Sequence, residues 1–319
     1  MKSKRMRNII LADIFLLLLL FLASSTDLLI KEKEVEVHKI AVIMDIPVKS
    51  QADNFRSGTL EASSEFHMDM NYFNLSSWNE LKDKQAVLQK ELDNGCKGVI
   101  LHCEDKQVTQ TLLESIPAGI PVLLYNEEAE EPCVSGYIGS DPKEECRLLQ
   151  EAILQDKNIA EGIVLVERVS CEERVLDLHD RLQEQLEAEG LLVRRIQVDS
   201  LAEVQPLVKN VSALLGRVFV SGDISVLQML GEGNKGSGNV LSVYGIGFHS
   251  GIRSLVEEGW ISGTVVHRAY EAGYFSVERM VEILNGKSDA KRKMIVESVL
   301  VTQKNMYSPE IESMVFPYV

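Results

Sequence analysis

The stretch YGIGFHSGIRSLVEEGWISGTVVHRAYEAGYFSVERMVEILNGK, Tyr244 to Lys287, decides how the chain folds. It opens inside a β-rich run punctuated by glycine, NVLSVYGIGF (Asn239 to Phe248), followed by a short amphipathic helix from Gly251 to Glu258. A second β-branched run, ISGTVV (Ile261 to Val266), leads into a longer helix from Tyr270 to Leu284. Ala272, Phe275, Val277, Met280, Val281 and Leu284 give that helix one apolar stripe, and Asn285-Gly286 closes it. Strand, helix, strand, helix in so little chain predicts parallel strands with crossovers. Both strands run into polar residues, at His249 and at His267-Arg268. In an open α/β sheet a ligand sits at such carboxyl ends.

The same alternation fills the rest of the chain. HKIAVIMD (His38 to Asp45), MNYFNL (Met70 to Leu75), KGVILHC (Lys97 to Cys103), IPVLLYN (Ile120 to Asn126) and SGYIGSD (Ser135 to Asp141) read as strands. Helices fall between them, and another follows from Pro142 to Leu154. EGIVLVE (Glu161 to Glu167), LLVRRIQV (Leu191 to Val198) and GRVFVSG (Gly216 to Gly222) begin a second set, and MIVESVLVTQ (Met294 to Gln303) reads as a final strand. Two similar βα runs predict two doubly wound lobes, each large enough to bury its own core.

GIGFHSG, GTVVHRAYEAGY and ILNGK resemble the end of the ribose/galactose-type periplasmic sugar-binding proteins and the related core of lactose-repressor regulators. The likeness extends from Lys39 to Asn305. It implies an α/β type I periplasmic-binding-protein architecture: two Rossmann-like parallel-sheet lobes joined by a three-strand hinge. The hinge crossings would fall near Gly139–Asp141, Val266–Arg268 and Ser298–Thr302. The expected lobes are 38–139 plus 268–297 and 140–267 plus 298–319.

Facing lobes bring strand ends together, which makes Asp45, Asn126, Glu127, Arg174, Asp223, His249 and His267 the candidate ligand-binding residues. Sugar recognition calls for planar donors and acceptors with an aromatic face. By the resemblance, the family's Asp-Arg pair after strand four falls on Asn126-Glu127, and the Arg of its "Glu-Arg" helix start on Glu173-Arg174. Its Asn-Asp falls on Gly222-Asp223, its Asp after Gly-Phe on His249, and its hinge Gln on His267. The aromatic residues of its first loop are absent from IPVKSQAD (Ile46 to Asp53). Tyr125, lying within a strand, is set aside as their substitute. Each polar candidate also has a plainer role: Arg174 in an ion pair, Asp223 as a helix cap, the histidines packed at strand ends. Two histidines at the cleft would make it pH-sensitive.

The balance is acidic, 33 Lys+Arg against 48 Asp+Glu, which disfavours nucleic acid as a partner. Lys2, Lys4, Arg5 and Arg7 precede an apolar run from Ile9 to Ala23 broken by Asp13. This is an export pattern that keeps its positive side in the cytoplasm. Ala23-Ser24-Ser25 could be cut, or Leu28-Leu29-Ile30 could extend the run into an uncleaved anchor over residues 9–30; the reading leans to the anchor. No cysteine near the run allows a lipoprotein. Residues 31–37 read as a tether. The five cysteines show no CxxC; a Cys103–Cys133 bridge is left open.

GEGNKGSG (Gly231 to Gly238) lacks the phosphate-loop spacing and reads as a mobile surface turn. With no GxSxG elbow and no HExxH, the reading is of a non-enzyme needing no cofactor and no metal. The expected function is an extracytoplasmic receptor that closes on a small carbohydrate-like solute and delivers it to an ABC-type permease. The alternative is a membrane-anchored receptor that reports closure to a sensor histidine kinase.

Overall fold

The computed structural model describes residues 2–25, 37–46, 49–78, 80–103, 105–126, 129, 131–159, 162–209, 217–237, 241–287 and 293–315. Met1–Val37 and His38–Val319 are separate compact units. The first holds one described helix, α1 (Lys2–Ser25), whose apolar side chains from Ile14 to Leu22 are all exposed. Among the described residues no helix is long and apolar enough to cross a membrane. At 1.5 Å per residue the run from Ile9 to Ala23 covers roughly 22 Å, against about 30 Å of bilayer hydrocarbon. The uncleaved anchor therefore finds no support, and Leu28-Leu29-Ile30, on which it leaned, lie outside the described residues.

In the second unit the strands are β1 (Lys39–Asp45), β2 (Asp69–Asn74), β3 (Gly98–Cys103), β4 (Val122–Tyr125) and β5 (Val134–Gly139). They are followed by β6 (Ile163–Arg168), β7 (Val193–Val198), β8 (Val218–Ser221), β9 (Ser242–Ile246) and β10 (Gly263–His267). Last come β11 (Lys293–Ile295) and β12 (Ser298–Val301). The helices are α2 (Lys49–Glu65), α3 (Leu81–Asp93), α4 (Lys106–Glu114), α5 (Pro142–Leu154) and α6 (Glu173–Ala188). After them come α7 (Val204–Lys209), α8 (Ile224–Ser237), α9 (Ser250–Glu257), α10 (Ala269–Leu284) and α11 (Pro309–Val315).

Two six-stranded sheets result, ordered β11-β5-β4-β3-β1-β2 and β12-β10-β9-β8-β6-β7. All pairings are parallel except β12 against β10. Each sheet is covered on both faces, because alternate side chains of a strand point opposite ways. Ile40, Val42 and Met44 pack with α2 and α10, while Ala41 and Ile43 pack with Leu88 of α3 and Leu112 of α4. In the second sheet Val164 and Val166 face one core, Ile163 and Leu165 the other.

The chain passes between the sheets over Ser140-Asp141, over Arg268 and over Val296-Glu297. These passages are bonded side by side: Val296 N–H donates to the Gly139 carbonyl at 2.9 Å and Arg268 N–H to that of Glu297 at 3.1 Å. The run from Met294 to Gln303 is thus two strands in two sheets rather than one final strand. The GEGNKGSG stretch is also not a surface turn, since Gly231 to Ser237 continue α8. Its glycines admit neighbours at close range: a Cβ on Gly231 would lie 2.8 Å from Ile261, and one on Gly233 3.2 Å from Val208. Asn234 donates from the same turn to the carbonyls of Leu241 (3.1 Å) and Trp260 (2.9 Å). None of the five cysteines forms a disulfide, so Cys103 and Cys133 do not bridge.

Candidate functional site

The carboxyl ends of the two sheets face one cleft. Its wall is made by Ile46, Asn54, His102, Tyr125, Asn126 and Ala269 on one side, and by Gly247, Phe248, Val266 and His267 on the other. It holds about 540 Å³ of empty space, open mouth included. Contacts tie the two sides together: Asn54 Nδ2 on α2 donates to the Met314 carbonyl of α11 at 3.2 Å, and Lys106 of α4 pairs with Glu173 of α6.

His102 is the penultimate residue of β3. Its Nδ1 lies 2.8 Å from the Tyr125 carbonyl, which can only accept, so Nδ1 carries the proton and Nε2 is an acceptor. Burial holds its pKa down at about 4. Tyr125 closes β4 with its ring 4.2 Å from Phe55, centroid to centroid. Its hydroxyl lies 2.6 Å from His267 Nε2, and burial keeps the phenol far above its usual pKa.

Asn126 turns the chain out of β4 with φ +55°, a left-handed conformation that asparagine tolerates better than most residues. Its Oδ1 accepts from Ser140 N–H at 3.0 Å, and its Nδ2 reaches His267 Nε2 at 3.3 Å. A Cβ on Gly139 would lie 2.6 Å from the Tyr137 hydroxyl and would collide with Asn126 Oδ1, so the hinge needs glycine there. His267 ends β10 at the second passage, and burial lowers its pKa to about 4 against the pull of Glu145.

Arg174 sits in the first turn of α6. It donates to Glu145 Oε2 at 2.6 Å, to Ser140 Oγ at 2.7 Å and to the Asn126 carbonyl at 3.3 Å. Burial opposes its charge, but Glu145 and Tyr137 together more than offset this and raise the guanidinium above its ordinary pKa.

Three expected residues are committed elsewhere. Asp45 points to α3 and pairs with Lys84. Asp223 caps α8, accepting from Ser225 N–H at 2.9 Å and Val226 N–H at 3.1 Å, and takes Arg168 Nε at 2.5 Å. His249 caps α9, its Nδ1 accepting from Gly251 N–H at 3.1 Å, and burial lowers its pKa. Glu127 lies outside the described residues.

Asn126 and His267 are thus brought together, with Arg174 bonded to the backbone of the first. Reading the sequence from the residues after each strand missed Asn54, His102, Tyr125 and Phe248. His102, Tyr125 and Phe248 stand inside the expected strands, and a polar or aromatic residue in the last two positions of such a strand is the signal that finds them. Tyr125 belongs to the cleft although it belongs to a strand. Glu145, in the first turn of α5, carries no such signal. Among the described residues no His, Cys, Asp and Glu cluster could hold a metal ion.

A doubly wound pair of lobes with a cleft at their facing strand ends is the architecture of type I periplasmic binding proteins. The chain belongs to the periplasmic binding protein domain family, whose model matches residues 40–288. No curated protein matches it significantly. Among solved structures it is similar to a carbohydrate transporter solute binding protein of Agrobacterium radiobacter in complex with D-arabinose, at 12% identity and TM-score 0.73 over 88% of this chain and 99% of that one. The periplasmic ribose ABC transporter protein of Conexibacter woesei gives 14%, 0.74, 88% and 97%. A glucose-galactose binding protein of Geobacillus stearothermophilus gives 16%, 0.72, 85% and 99%. At such identities the likeness speaks to the fold.

Proposed function

We propose that this protein is an extracytoplasmic solute-binding protein that closes its two lobes around a small, uncharged, sugar-like ligand and delivers it to an ABC-type permease. The observation that carries the reading is the cleft itself. It sets amide and imidazole groups (Asn54, His102, Asn126) opposite Phe248 and beside Tyr125, the pairing of planar polar groups and aromatic faces that suits a ring bearing hydroxyls. Charged side chains near it are paired, Arg174 with Glu145, Asp45 with Lys84 and Asp223 with Arg168, which suits a neutral guest. The structural neighbours bound to D-arabinose and D-fucose support the same class. The lobes are taken as 38–139 plus 268–297 and 140–267 plus 298–319, a division supported by the membership of the strands in the two sheets. The basic residues ahead of an apolar helix support export.

A thermal-shift panel of pentoses, hexoses, inositols, furanose autoinducer-like sugars and nucleosides tests this. A cognate solute at 100 times its Kd should add about 2.7 kcal/mol and raise the midpoint by several degrees. A flat response across the panel would remove the sugar-like reading. Arg174→Ala should abolish the shift, because Asn126 loses the donor that holds its carbonyl and Glu145 is left without its cation. An undiminished shift in that variant takes Arg174 out of the site.

A further inference from the structure

Glu145 is 1% exposed, and its two carboxylate oxygens are unequally engaged. Oε2 holds Arg174, whereas Oε1 is buried with no hydrogen-bond partner among the described residues. That oxygen faces His267 Nδ1 at 3.8 Å, just beyond hydrogen-bond reach. The opposite ring nitrogen, Nε2, meets the Tyr125 hydroxyl at 2.6 Å and Asn126 Nδ2 at 3.3 Å. The Asn126 amide cannot be reversed, because its Oδ1 accepts from Ser140 N–H at 3.0 Å. Nδ2 is therefore a donor and Nε2 keeps its lone pair. His267 is neutral, with its proton on Nδ1 and aimed at Glu145.

We propose that Glu145 is the positioning residue of the hinge, fixing Arg174 with one oxygen and standing ready for protonated His267 with the other, so that lobe closure depends on the charge of His267. The inference rests on the solute-binding reading above. A proton added at Nε2 removes the acceptor of Asn126 Nδ2 and forces the Tyr125 hydroxyl to reverse. The imidazolium is then drawn to Glu145 Oε1 and competes with Arg174 for one carboxylate. Arg174 is the donor to the Asn126 carbonyl, so the contact between the lobes loosens with it.

The groups facing His267 are Tyr125 from β4, His102 from β3, Glu145 from α5 and Arg174 from α6. Arg268, its chain neighbour, is held by Glu271 and Glu297. Burial keeps His267 near 4 in the arrangement described, and opening the cleft returns it toward ~6.5. The closed form thus binds fewer protons than the open form between those values. Closure is favoured fully above pH ~6.5 and lost as pH falls toward ~4, which weakens solute binding roughly twentyfold between pH ~7 and ~5.

The test is a nitrogen-detected NMR titration of the His267 ring, without solute, in the wild type, Glu145→Gln and Tyr125→Phe. Glu145→Gln should lower the midpoint, since the carboxylate favours the imidazolium. Tyr125→Phe should raise it, since the hydroxyl favours the neutral ring. Identical midpoints in all three proteins overturn the proposal whether or not a solute is known. Should Glu145→Gln fail to fold, Tyr125→Phe decides alone, and an unmoved or lowered midpoint there is equally fatal. In a second arm, Kd for a solute from the panel is measured across pH 5 to 7.5 in the wild type and His267→Gln. The wild type should lose about twentyfold and the variant should stay flat; equal slopes overturn the coupling. Midpoints that move as expected with no solute bound leave Glu145 in its role and count against the sugar-binding reading alone.

Discussion

Gly273→Ala is expected to destabilise the protein by about 3 kcal/mol, at the upper end of overpacking costs. α2 and α10 cross in backbone contact. A methyl on Gly273 would fall on the Phe55 carbonyl oxygen and 3.0 Å from its carbon, and one on Gly58 would meet the Tyr270 carbonyl oxygen and lie 2.9 Å from Tyr274 N. Backbone cannot rotate away as a side chain can, so the helices must separate. That opens the core between them, where Phe55, Ala272, Val277 and Met280 are all buried to within 1%. Helix propensity favours alanine by about 1 kcal/mol and offsets only part of this. Urea denaturation measures the difference, and an unchanged midpoint in Gly273→Ala and Gly58→Ala would show that the helices yield freely. The two Tyr–Glu bonds outside this crossing, Tyr270 to Glu61 and Tyr274 to Glu65, join exposed partners and should matter much less.

Glu167→Ala should cost about 3–5 kcal/mol, the scale of breaking a buried ion pair from one side. Glu167 and His179 are both fully buried. Glu167 accepts from Arg195 Nε at 2.8 and 2.9 Å, from Gln197 Nε2 at 3.0 Å and from His179 Nδ1 at 2.8 Å. The far nitrogen of His179 accepts from Gly222 N–H at 3.0 Å, so the cluster fixes the turn at the cleft end of β8, directly before the Asp223 cap. Burial pushes the Glu167 carboxyl up, but the His179, Arg195 and Gln197 bonds win and set it at about 2, against an ordinary 4.5. A depressed carboxyl stabilises the fold above its unfolded pKa and ceases to do so as pH falls through the folded one. Roughly 3 kcal/mol should therefore disappear between pH ~4.5 and ~2. Stability of the wild type and of Glu167→Gln, measured down to pH 2.5, checks this; parallel curves for the two would refute it.

Much of the fold was legible in advance. Unbroken apolar runs such as KIAVIMD and IVLVE have to be buried on both faces, and only flanking helices can bury them. The elements erred where a local cue met a tertiary one. The glycines of GEGNKGSG look like a turn, yet they give α8 room against Ile261, Leu255 and Val208. MIVESVLVTQ reads as continuous strand because each half suits a strand; only pairing with β5 and with β10 divides it.

The candidate site was legible to a lesser depth. The alternation of parallel strands and helices, with the family resemblance, led from sequence alone to the polar ends of β4 and β10 at one cleft, and Asn126 and His267 follow from that. Which way each side chain points was decided by packing. Asp45 is one residue from Ile46 of the cleft wall, but strand alternation turns it to Lys84. The roles of Glu145 and His102 came from the tertiary structure alone, because charge pairing and tautomer depend on partners distant in the chain, and a sequence records which groups exist without recording which of them face each other.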